Sequence, residues 1–185
     1  MSDVLWRRLR YMLTPQFDIY LSIADAVEGK SVLDVGCGTG FGSLQLARRA
    51  RNVNAFDTDE EAANFAYWLE TPNLRFTQAD LLDTQMFTPH EAVVMVEVLE
   101  HITDWRAALR KVRELLTRGG KLYISSRNAN ADLRRNDLHE REVTAEQFKA
   151  MLSEFFPSVT LYDYTLENEQ GDDSRVTPLV AVCVK

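Results

Sequence analysis

The stretch "MVEVLEHITDW" crowds three side chains able to move a proton: Glu97, Glu100 and His101. Read as a helical turn, it sets Glu97 and His101 at i and i+4 on one face, with Glu100 beside them. Imidazole is the natural base at neutral pH. A second histidine, His139, follows in "NDLHEREVTAEQF". Binding chemistry is suggested by "SVLDVGCGTGFG", where glycines at 36, 38, 40 and 42 follow Asp34. Glycine inside a helix or strand costs roughly 0.5–1 kcal/mol against alanine. So dense a cluster implies a backbone that turns sharply and brings its N–H groups against a ligand.

The elements that must position these residues alternate regularly. Short apolar, β-branched-rich runs at 31–35, 53–56, 74–77, 92–96 and 121–125 read as strands, with helical patterns between them. Phe17, Tyr20, Leu21, Ala24 and Val27 repeat at helical spacing before the first run, and Trp105, Leu109, Val112, Leu115 and Leu116 before the fifth. Asp59 is placed to cap a helix opening on Glu60 and Glu61. Thr144 to Gln147 form a capping-box pattern. Gly119-Gly120 is expected to end one helix and release the chain into the next strand. Such alternation predicts a parallel, doubly wound sheet with right-handed crossovers. The runs at 159–166 and 179–184 have only a turn-rich segment between them, which predicts an antiparallel hairpin at the sheet edge. Ligands in such sheets bind beyond the carboxyl ends of the strands, where the glycines lie.

With 185 residues the chain is expected to be a single α/β domain. The net charge of −7 argues against a nucleic-acid groove, and the arginines at 7, 8, 10, 127, 134 and 135 read as solvated faces. The two cysteines, Cys37 and Cys183, imply no disulfide framework. No signal-type or membrane-spanning apolar run is evident, so the expectation is a cytoplasmic protein.

The glycines do not fit a dinucleotide fingerprint, since Phe41 or Ser43 stands where G-x-G-x-x-G needs its third glycine, and the phosphate-loop motif is absent. Asp34-x-Gly36-x-Gly38-x-Gly40 instead resembles the first motif of class I S-adenosylmethionine-dependent methyltransferases. Asp57 in "VNAFDTDEE", Asp80 in "TQADLLD" and the segment "LTRGGKLYIS" resemble later stations of that family, in order. The resemblance implies a Rossmann-like fold with seven strands, the last antiparallel. It also implies S-adenosylmethionine as cofactor, with S-adenosylhomocysteine as product. Gly36, Gly38 and Gly40 would cradle the methionine part, with Asp34 supporting the loop. Asp57 and Thr58 would hold the ribose side, Asp80 and Leu81 the adenine, and Glu97 would lie beside the sulfonium. His101 or His139 would serve as catalytic base together with Glu97. Residues 1–28 would form a helical lid over the cofactor, and 29–185 the methyltransferase domain.

The stretch around His101 is similar to two narrower groups, ubiquinone-pathway O-methyltransferases and small-RNA 3′-end ribose methyltransferases. The latter would use Glu97, Glu100, His101 and His139 as metal ligands. However, "HEREVTAEQF" looks equally like a segment of metal-free small-molecule methyltransferases, and we expect no metal. No (D/N)-P-P-(Y/F) follows the fourth strand and no Pro-Cys pair occurs, so DNA-base methylation is not expected. The expected acceptor is a hydroxyl or amine of a small molecule. The alternatives are a metal-dependent 2′-O-methyltransferase of RNA 3′ ends and a non-catalytic cofactor-binding regulatory subunit.

Overall fold

The computed structural model describes residues 14–83, 87–131 and 143–185. Their elements are, in order, α1 (Pro15–Ala26), β1 (Ser31–Val35), α2 (Phe41–Ala47), β2 (Asn52–Asp57), α3 (Glu60–Ala66), β3 (Leu74–Gln78) and β4 (His90–Met95). There follow α4 (Trp105–Glu114), β5 (Leu116–Ser126), α5 (Ala145–Ser153), β6 (Ser158–Tyr162) and β7 (Leu179–Val184). The strands form one seven-stranded sheet in the order β3-β2-β1-β4-β5-β7-β6. The first five strands pair in parallel, whereas β7 lies antiparallel between β5 and β6. The expected C-terminal hairpin is present, with β6 outermost.

Period-two alternation sorts the strand side chains onto two buried faces. Val32, Val53, Ala92, Val94 and Tyr123 pack with Ile19, Ile23 and Leu46 from α1 and α2 on one face. On the other, Leu33, Val93, Met95, Leu122 and Ile124 pack with Leu109 and Val112 of α4 and with Phe148 and Leu152 of α5. Local caps form as their residues suggest. Asp59 Oδ1 accepts the Glu61 N–H at 2.8 Å, and Thr144 with Gln147 closes a full capping box.

Three local readings are corrected. Gly119-Gly120 does not end a helix: α4 stops at Glu114, and both glycines lie inside β5, of which Leu116 is the first residue. There they pair with the chain end, Gly119 N–H to the Lys185 carbonyl and Lys185 N–H to the Gly120 carbonyl. Gly119 takes φ +73°, and the β4–β5 register jumps from His90–Leu116 to Ala92–Lys121, so the glycines accommodate a bulge. The sixth strand ends at Tyr162, because Asp163 turns the chain by accepting the Thr165 N–H and hydroxyl. Finally, Glu97 is not part of a helical turn. It takes φ +56° ahead of a single 3₁₀ turn, Leu99–His101, so Glu97 and His101 do not share a helix face.

Residues 1–13, 84–86 and 132–142 lie outside the described residues. They include His139 and half of the expected 1–28 lid. The described part of that segment, α1, packs with its buried face against α2 and the sheet.

Candidate functional site

The order of the strands reverses between β1 and β4, and the glycine loop leaves β1 at that point. The loop is held by β2. The Gly36 and Cys37 N–H groups both donate to the Phe56 carbonyl, at 2.9 and 3.0 Å, and Gly38 N–H donates to Asp57 Oδ2 at 2.7 Å. Asp57 Oδ1 accepts the Asp59 N–H at 2.9 Å. Each carboxylate oxygen has two lone pairs, so Asp57 retains capacity for two further donors.

The glycines serve different ends. Gly36 has φ +68°, and a Cβ there would stand 2.5 Å from a Val98 methyl. Gly40 precedes α2 at φ +82°, where a Cβ would stand 2.5 Å from the Phe76 ring. Both positions therefore exclude a side chain twice over, by backbone conformation and by space.

Beyond the loop, a cavity of about 660 Å³ opens at the carboxyl edge of the sheet. Gly36, Asp57, Thr58, Asp80, Leu81, Glu97 and His101, all singled out from the sequence, line it together. Val98, Ile102, Leu82 and Asp104 complete much of the wall. Their apolar or capping character carries no local signal of a ligand. Asp80 holds its turn by accepting the Leu82 N–H at 2.8 Å. Gly38, Gly40 and Asp34 are not among the cavity-lining residues.

Glu97 is shaped by a residue the sequence did not reveal. Its N–H donates to Ser125 Oγ at 3.0 Å, and that hydroxyl donates back to Glu97 Oε1 at 3.1 Å. Ser125 is fully buried at the end of β5. One hydroxyl thus supports both the backbone and the carboxyl of a residue held at positive φ, a form of strain found at functional sites. Burial, reinforced by repulsion from Glu100, pushes the Glu97 carboxyl up to about 7, while Ser125 draws it back. Glu100 is buried close to Glu97 but opens on a small crevice with Leu99, Ser126, Val143, Phe148 and Met151, and does not line the cavity. Among the described residues, no group of three or more His, Cys, Asp or Glu side chains is arranged to hold a metal ion.

Beneath the loop, Asp34 is fully buried and accepts the Tyr20 hydroxyl at 3.0 Å and the Ser43 hydroxyl at 2.6 Å. Burial pushes its carboxyl up to about 7 against the pull of those donors. An aspartate whose folded pKa lies above its unfolded value holds a proton that the unfolded chain releases, so its contribution to stability falls as pH rises from about 4 to 7. Asp34→Asn lacks that term. Its melting temperature relative to the parent should climb over the same interval, as scanning calorimetry would show.

A methyltransferase-domain family profile matches residues 5–168. The chain belongs to the class I S-adenosylmethionine-dependent methyltransferases. A ubiquinone biosynthesis O-methyltransferase of Aeromonas salmonicida is 35% identical over 107 residues, 55% of this chain and 45% of that protein. One from Vibrio vulnificus is 32% identical over 120 residues, 62% of this chain and 51% of its own. The chain thus spans about half the length of the curated relatives it matches. In fold it is similar to the N-methyltransferase NodS of Bradyrhizobium japonicum, with a TM-score of 0.66 and 21% identity over 100% of this chain and 98% of that one. The methyltransferase fold explains why β7 is inserted antiparallel, and the family's cofactor is S-adenosylmethionine. The site suits that molecule: Asp57 has acceptor capacity left for hydroxyls, and Gly36 exposes backbone where a side chain would intrude. No helix among the described residues is long and apolar enough to cross a membrane.

Proposed function

We propose that this methyltransferase, acting in the cytoplasm, methylates a hydroxyl of a small molecule, with an amine as the alternative acceptor. The observation that carries the reading is the convergence of Glu97 and His101 on the same cavity as Asp57 and Asp80. Gly36 meets the methionine part of the cofactor on a loop that Gly38 and Gly40 shape from outside the cavity wall. Asp57 and Thr58 hold the ribose side, and Asp80 and Leu81 the adenine, with Asp34 supporting the loop. Bound S-adenosylmethionine supplies an activated methyl, so the hard chemistry belongs to the cofactor. The protein's part is to orient the acceptor and remove its proton. Glu97, held by Ser125, faces the reacting centre, and His101 at the rim takes the proton. Leu82, Val98 and Ile102 offer the acceptor an apolar wall. Hydroxyl transfer is preferred because the curated relatives are O-methyltransferases. The 1–28 segment is proposed as the cofactor's lid, although α1 itself adds no residue to the cavity wall.

The test is methyl transfer from labelled S-adenosylmethionine to a panel of phenols and amines, alongside S-adenosylhomocysteine binding. Binding with no transfer to any acceptor would favour a regulatory subunit. Metal has no role in this reading. Activity should therefore survive chelator. Stoichiometric metal in elemental analysis, with ligand bonds near 2.0–2.2 Å, would support the RNA-type mechanism instead.

A further inference from the structure

Tyr20 of α1 takes no part in the chemistry above, yet it connects the first helix to both ends of the glycine loop. It is 3% exposed, and its ring lies against Gly42 so closely that a Cβ there would overlap it. Its hydroxyl donates to Asp34 Oδ1, while Ser43 donates to Asp34 Oδ2. Asp34 precedes the loop on β1, and Gly42 and Ser43 follow it in the first turn of α2. We propose that Tyr20 is a positioning residue for the cofactor loop, setting through Asp34 the spacing between β1 and α2 that the loop must span. The inference rests on the cofactor assignment made under Proposed function.

Two hydroxyls aimed at the two oxygens suit an ionised carboxylate. The groups bearing on Asp34 are Tyr20 from α1, Ser43 from α2, Cys37 from the loop and Asp57 from β2. Burial and the Asp57 charge favour the protonated form, and the two hydroxyls oppose them. Removing the Tyr20 hydroxyl therefore leaves Asp34 protonated to higher pH. The loop then loses its tie where the parent protein still keeps it.

Calorimetry of S-adenosylhomocysteine binding between about pH 6 and 9 tests this on the parent, Tyr20→Phe, Asp34→Asn and the double variant. Tyr20→Phe keeps the ring against Gly42, so the fold should survive. Its affinity should fall about tenfold or more near neutral pH, the loss expected for one bond to a charged group. The pH at which affinity declines should lie higher than in the parent. Asp34→Asn should weaken binding without that pH-dependent step, and the double variant should bind no more weakly than Asp34→Asn alone. Affinity of Tyr20→Phe within about twofold of the parent at every pH, or additive losses in the double variant, would overturn the proposal. A parent protein that does not bind S-adenosylhomocysteine would overturn the cofactor assignment and this inference with it, a result distinct from loss in the variants alone.

Discussion

His101→Ala should lower turnover by about 10²–10⁴ while leaving S-adenosylhomocysteine affinity nearly unchanged, the signature of a lost general base. The imidazole is exposed at the cavity rim, on a turn fixed by its own N–H to the Val98 carbonyl at 3.0 Å and by Ile102 N–H to the Leu99 carbonyl at 3.2 Å. Alanine keeps both backbone bonds, so the turn should persist while the proton acceptor is lost. The residues assigned to ribose and adenine lie at the ends of β2 and β3, whereas His101 follows β4. This separation is why affinity and turnover should part. Steady-state kinetics and calorimetry on the same preparation make the measurement. Near-normal turnover would pass the role to His139, the remaining histidine candidate, whose own alanine variant should then show the kinetic loss. A fall in melting temperature, affinity and turnover together would mean that the turn itself had been disturbed.

Asp57→Ala should weaken S-adenosylhomocysteine binding by about a hundredfold or more. Two charge-assisted bonds to ribose hydroxyls, at roughly 1.5–3 kcal/mol each, account for that factor. The variant also strands the Gly38 and Asp59 N–H groups that Asp57 now accepts at 2.7 and 2.9 Å. The glycine loop should therefore loosen as well, and the loss of affinity should exceed that of a residue touching ribose alone. The affinity is measured by calorimetry, with melting of the cofactor-free protein to report on the loop. Unchanged affinity in a folded variant would place the ribose elsewhere.

The parts of this protein legible in its sequence are those governed by near neighbours. The alternation of apolar runs with 3.6-residue patterns reflects the side-chain period of each element, and β1 and β7 form over the runs assigned to them. The Thr144–Gln147 box and the Asp59 cap each satisfy N–H groups two or three residues away, so their spacing is the mechanism. Asp57, Asp80 and Glu97 could be placed on one edge because every parallel strand in a doubly wound sheet ends there.

What tertiary structure decided are contacts between residues far apart in the chain. Glu97 seemed to share a helical face with His101, but the chain leaves β4 at positive φ and Ser125, 28 residues on, holds it there. Gly119-Gly120 has the composition of a helix stop, yet its partner is Lys185, which pulls it into the sheet. Gly42 looked like part of a ligand loop and is instead small because Tyr20 packs on it, with Asp34 and Ser43 completing a network that spans three elements. None of these partners lies within a helical turn or a strand repeat of its mate. Periodicity and capping rules therefore carry no record of them, and only the packed sheet and helices bring them within hydrogen-bonding or van der Waals reach.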